Sequence, residues 1–139
     1  MKRKFIPGII LAAAFFLYTL PAIAQPDYNP TYDEMVAAAD NLAEFEDLWQ
    51  VSFEGKSIMY PSRDYEGQEP FTGTAVRAYD DGRKTATEFK NGRGNGLTVL
   101  WHANGQKSMQ GTLVDGELGG TLYQWDEEGN LISETSAGQ

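Results

Sequence analysis

Gly73-Thr-Ala-Val-Arg-Ala-Tyr-Asp-Asp-Gly82, Gly96-Leu-Thr-Val-Leu-Trp-His-Ala-Asn-Gly105 and Gly120-Thr-Leu-Tyr-Gln-Trp-Asp-Glu-Glu-Gly129 are three copies of one ten-residue pattern. Within each copy the two glycines lie 9 positions apart, and the copies begin 23 and then 24 residues after one another. A polar residue followed by glycine supplies the positive φ angles of a tight hairpin turn. Asp81-Gly82, Asn91-Gly92, Asn104-Gly105, Asp115-Gly116 and Glu128-Gly129 are such corners. Between corners the side chains alternate. Leu97, Val99 and Trp101 take one side of a pleated strand, and Thr98, Leu100 and His102 take the other. Thr121, Tyr123 and Trp125 repeat the first set one copy later. A lone hairpin is marginal in water, so the units are expected to pair edge to edge. The fold expected is therefore mainly β, a single antiparallel meander of hairpin repeats with one N-terminal amphipathic helix.

Upstream, Trp49, Val51 and Phe53 alternate with Gln50 and Ser52, and the Glu54-Gly55 corner turns the chain back through Ser57–Tyr60. Glu66-Gly67 marks a further turn, while Pro61 and Pro70 make 61–70 a loop. The corner glycines Gly55, Gly67, Gly82, Gly92, Gly105, Gly116 and Gly129 recur at intervals of 10 to 15 residues. A divergent unit over 48–70 thus precedes units 71–95, 96–119 and 120–135, and 48–135 reads as one β-repeat domain. Ahead of it, after a leader over 25–30, the spacing of Met35, Ala39, Leu42 and Phe45 predicts a helix over 31–46. Asp33 and Glu34 sit in its first turn, where the dipole favours negative charge. Its single apolar stripe predicts packing on one face of the sheet or across the sheet's N-terminal edge, where a cover guards against aggregation.

Met1–Ala24 has the layout of a secretory signal peptide. Lys2, Arg3 and Lys4 form a basic start, an apolar run covers about residues 9 to 20, and Ala22-Ile23-Ala24 offers a small-x-small cleavage site before Gln25. The protein is expected to be exported, to the periplasm or the medium. No cysteine is present, so the fold rests on apolar burial and strand pairing without disulfides. Removing residues 1–24 takes away three positive charges and changes the net from −9 to −12. Such a balance argues against nucleic acid and anionic lipid as direct partners. Residues 25–70 hold 11 acidic against 2 basic side chains, whereas 71–139 hold 9 against 6, so the acidity lies mainly ahead of the repeats. It serves solubility, or it docks a basic protein.

The run Glu69-Pro-Phe-Thr-Gly73, followed by Tyr79-Asp-Asp-Gly82, Phe89-Lys-Asn-Gly92, Trp101-His-Ala-Asn-Gly-Gln106 and Val114-Asp-Gly116, resembles the MORN-repeat variant family of bacteria. The resemblance covers residues 69–135. It implies a curved array of β-hairpins used for protein or membrane contacts, and many family members carry an antitoxin-like label. One departure is plain: Tyr79 precedes its glycine by three positions, where Trp101 and Trp125 precede theirs by four. The first ring is accordingly placed on a different face.

Little in the chain points to chemistry. His102, the only histidine, has no motif-borne nucleophile or carboxylate beside it, and a surface or packing role is expected. Asp80-Asp81-Gly82 and Asp126-Glu127-Glu128-Gly129 lack the ligand pattern of a calcium loop, with Gln124 at the first ligand position and Thr135 at the last. No catalytic, metal or cofactor-binding residue is assigned. Tyr79, Trp101, Tyr123 and Trp125 recur at nearly the repeat spacing and are the candidate partner-binding residues, with filling of the sheet's covered side as the structural alternative. The function expected is that of an exported, non-enzymatic protein–protein interaction module, with an immunity or antitoxin-like role as a special case. The alternative is an envelope-associated module that binds glycan or a membrane surface through the aromatic strip.

Overall fold

A computed structural model describes residues 28–138. The signal-peptide reading of 1–24 and the leader's first three residues lie outside them. The described residues are mainly β, with one α-helix. Strands β4 (Gly73–Ala78), β5 (Lys84–Lys90), β6 (Arg93–Trp101), β7 (Lys107–Val114), β9 (Thr121–Trp125) and β10 (Leu131–Ser136) pair in chain order as an antiparallel meander. The short β8 (Glu117–Leu118) lies beside the end of β7, so β8 and β9 together line one edge of β7, broken at Gly119-Gly120.

The corners are of two kinds. Glu54-Gly55, Asn91-Gly92 and Asp115-Gly116 have positive φ at both positions (50° and 78°, 51° and 77°, 52° and 87°), the signature of a two-residue type I′ turn. At the other three hairpin corners only the glycine is left-handed: Gly82, Gly105 and Gly129 have φ of 90°, 88° and 88°. Each accepts the same frame. The glycine N–H donates to the carbonyl of Tyr79, His102 or Asp126, whose own N–H donates to the carbonyl of Arg83, Gln106 or Asn130. Three loops with one hydrogen-bond pattern make the sequence repeat a structural one. They also align Tyr79 with His102 and Asp126, and Ala78 with Trp101 and Trp125, which explains the shifted ring of the first unit.

The N-terminal part departs from the expected 31–46 helix. Thr31 caps it by a capping box: the Glu34 N–H donates to Thr31 Oγ1 at 3.2 Å and the Thr31 N–H to Glu34 Oε2 at 2.8 Å. The helix, α1 (Tyr32–Ala38), then ends at Ala39, which is extended. Asn41 explains the stop, because its side chain donates to the Thr72 carbonyl at 2.8 Å while its own carbonyl accepts from the Thr74 N–H at 2.8 Å. That draws the chain into β1 (Leu42–Glu44), which pairs parallel with β4, and then into a 3₁₀ turn (Phe45–Asp47). The edge of the meander is thus covered by a strand rather than by the helix.

Two small cores result, one on each face of the sheet. Val76 and Ala75 are neighbours in β4 and point to opposite sides. Val76 joins Met35 of α1 with Ala86, Val99 and Trp101 on the first face. Ala75 joins Leu48, Met59 and Phe71 on the second, with Phe45 and Phe89 packed alongside. The supposed helical stripe is therefore split: Met35 serves one face, Leu42 lies at the edge, and Phe45 serves the other.

Unit 48–70 forms its own ribbon instead of continuing the meander. Among the described residues, strands β2 (Trp49–Phe53) and β3 (Lys56–Tyr60) pair only with each other, and residues 61–70 form a strand-free loop. The ribbon is fastened at Met59. Its N–H donates to the Gly92 carbonyl at 2.7 Å and its carbonyl accepts from the Phe71 N–H at 2.8 Å, while the Gly92 N–H donates to the Phe71 carbonyl at 2.7 Å.

Candidate functional site: an aromatic cleft and an exposed ribbon

Strand register decides which of the four proposed rings meet. Val99 pairs with Gln110, and Gln110 with Tyr123, so Tyr123 and Trp125 share the first face with Val99 and Trp101. Tyr123 stacks on Trp125 with centroids 5.9 Å apart, and Tyr32 of α1 meets Trp101 edge-on at 5.5 Å. Tyr79 stands apart beyond the end of β4, on the side of Arg77, with the Arg77 and Arg83 guanidiniums 5.7 and 5.1 Å from its ring. Three of the four rings are thus brought together, and the fourth is not.

Trp101 and Trp125 border a cleft of about 320 Å³ lined also by Pro30, Gln106 and Lys107. The Lys107 ammonium lies 4.2 Å from the Trp125 centroid and donates to Gln110 Oε1 at 2.8 Å, and the Gln110 amide donates to the Tyr28 carbonyl at 2.8 Å. Burial lowers the Lys107 pKa below the ordinary lysine value. Lys107 and Gln110 carry no motif, and only the register places them here. Yet the two indoles are closed off: Trp101 is 2% exposed and Trp125 4%, while Tyr123 is half-buried. They fill the covered side of the sheet, Trp125 as fully as Trp101, and offer a partner only their rims.

The hairpin loops beyond the cleft lock to one another. His102 Nε2 lies 2.9 Å from the Trp125 carbonyl, and the Asn104 amide donates to the Glu127 carbonyl at 2.8 Å. The lone histidine is thus a link between units. Asp126 accepts from the Asn130 N–H (2.8 Å), the Glu128 N–H (3.0 Å) and the Asn130 side chain (3.1 Å). These bonds, the Asn130 backbone first, hold its carboxyl below the usual aspartate pKa, and the Arg83 backbone does the same for Asp81. Both aspartates are occupied in shaping turns, and among the described residues no group of three or more His, Asp or Glu is placed to hold a metal.

Two large exposed aromatic side chains lie elsewhere, on the ribbon. Phe53 is 63% exposed and Trp49 37%, the latter with the Arg63 guanidinium 4.6 Å from its ring. Alternation puts both on the side of β2 opposite Gln50, which lines the cleft between ribbon and sheet with Ser57 and Met59. The strand lies between Asp47 and Glu54, and residues 40–54 hold five acidic side chains and no basic one. Of these Glu46 is committed to Arg77 at 2.6 Å. Alternation in 49–53 marks the strand in the sequence, but nothing there says that one side stays uncovered.

No family model matches the chain, and no curated protein or solved structure matches it significantly.

Proposed function

We propose that this chain is an exported, non-enzymatic interaction module of the MORN-repeat variant type that binds a basic protein, with an immunity or antitoxin-like role as a special case. The observation that carries the reading is the pair Trp49 and Phe53, held on a ribbon outside the main sheet between acidic residues. Large apolar side chains in such a position are characteristic of contact surfaces, and aromatic anchors dominate the energetics of interfaces. The acidity of 25–70 supplies the electrostatic complement and a faster encounter with a positively charged partner. The repeats act as a rigid mount. The alternative, glycan or membrane binding through the aromatic strip, draws no support from indole rings as enclosed as Trp101 and Trp125.

Affinity capture from an envelope extract tests the reading. The full chain is expected to retain a basic protein at low ionic strength and release it at roughly 0.5 M salt, where exposed charges are screened. The double variant Trp49→Ala, Phe53→Ala is expected to lose it. Salt-insensitive retention on isolated cell wall, equal in both proteins, would count against it.

A further inference from the structure

Resting on the interaction reading above, we infer that the outer edge of β2 is a strand-docking site, which takes an extended protein segment with basic residues at its ends and alternating apolar and polar residues between them. The Glu54-Gly55 turn is a two-residue loop, so the flanking residues Phe53 and Lys56 form a hydrogen-bonded pair of the ladder. Such pairs alternate along an antiparallel ribbon. Val51–Ile58 and Trp49–Tyr60 are then bonded inward, while Ser52, Gln50, Ser57 and Met59 turn their N–H and C=O groups away from the ribbon. Met59 verifies the phase, since both of its backbone groups reach outward to Gly92 and Phe71.

On β3 that outward edge is therefore partly used. On β2 it is not: the N–H and C=O of Gln50 and Ser52 have no backbone partner among the described residues, and both residues are exposed. Free strand edges of this kind template the addition of another strand, and soluble proteins ordinarily blunt them with lysine, proline or a bulge. β2 carries none of these devices. A segment added there would set its apolar side chains beside Trp49, Val51 and Phe53 and its polar ones beside Gln50 and Ser52. Its ends would meet Asp47 and Glu54, which select lysine or arginine. A second copy of this chain is the poorer occupant, because pairing β2 with β2 brings like charges together. The outer edge of β10 is also unpaired in the sheet among the described residues, but it presents Ile132 as its one large exposed apolar residue.

The test uses the full chain and an end-blocked seven-residue peptide with lysine at both ends and alternating valine and threonine between. Peptide binding is expected to slow hydrogen exchange at the Gln50 and Ser52 amides. Ser52→Pro removes one outward donor without touching the ladder to β3 and is expected to weaken binding about fivefold to tenfold, the size expected for one lost hydrogen bond. A peptide N-methylated at its central residues is expected to lose binding to the unaltered protein, which keeps the test valid if the proline disturbs the ribbon. Glutamate in place of the terminal lysines is expected to abolish it. Binding that leaves both amides unprotected, or that tolerates N-methylation, overturns the inference, as does protection of these amides by self-association without peptide. Salt-sensitive capture of a basic protein that is indifferent to Ser52→Pro would overturn strand docking while leaving the interaction reading standing. Absence of any such capture would overturn the latter.

Discussion

The Met59 N–H donates to the Gly92 carbonyl at 2.7 Å, and this bond holds the exposed ribbon to the repeat sheet. Gly92 can serve because its φ of 77° aims the carbonyl at β3 and because it lacks a side chain. A Cβ there would lie 2.5 Å from Ile58 Cγ2 and 2.7 Å from the Met59 carbonyl oxygen. Gly105 has a similar φ of 88° but open space around the same position.

The two glycines therefore separate backbone strain from steric exclusion. Gly105→Ala is expected to cost about 1–2 kcal/mol, the penalty of a left-handed residue. Gly92→Ala is expected to cost more, because the ribbon must also move. Urea unfolding compares the two, and faster hydrogen exchange at Met59 and Phe71 should appear in the Gly92 variant alone.

Trp101 touches both α1 and the repeats, so its removal tests whether it belongs to the core. Trp101→Ala is expected to destabilise the fold by about 3–5 kcal/mol, as for other large-to-small changes at buried aromatics. Tyr79→Ala, at a half-buried ring outside both cores, is expected to fall well short of that. Thermal unfolding followed by near-UV circular dichroism distinguishes them.

Thr31 is the sole side-chain cap on a seven-residue helix. Thr31→Ala is expected to lose about 1 kcal/mol. Because α1 holds Met35 against Val76, the loss should register as a lower global midpoint in chemical denaturation rather than as local fraying alone.

Acid should weaken the loops before it reaches the cores. Asp126 and Asp81 have folded pKa values below their ordinary ones, so their contributions are complete above the unfolded aspartate value of about 3.9 and decline as pH falls through the folded values. Asp126→Asn removes the titrating group. Its stability at pH 7 is expected to be lower than that of the unaltered protein, and the gap is expected to narrow by about pH 2. Chemical denaturation at the two pH values checks this, and a gap that stays constant would refute it.

The positions of the turns were legible in the sequence, because a left-handed backbone is a local demand that glycine meets and other residues resist. Gly55, Gly82, Gly92, Gly105, Gly116 and Gly129 close hairpins, and Gly67 closes a loop turn. Strand alternation was equally local, which is why the mainly-β meander and the shared side of Trp101, Tyr123 and Trp125 could be read in advance. Even the displaced ring of Tyr79 followed from a count of residues to its glycine.

What no local signal carried was the competition between distant partners. Met35, Leu42 and Phe45 fit a helical stripe, but Asn41 finds Thr72 and Thr74 across the sheet edge, and those bonds end the helix after one and a half to two turns and send the chain to the opposite face. The enclosure of Trp125 likewise depends on Tyr28 and Pro30 lying near Gln110 and Lys107, roughly eighty positions away in the chain. The openness of β2 depends on β3 giving its outer edge to Gly92 and Phe71. Hydrogen-bond geometry within a few residues wrote the repeat into the amino-acid order, whereas burial and edge pairing are settled only when segments far apart in the chain compete for the same surface.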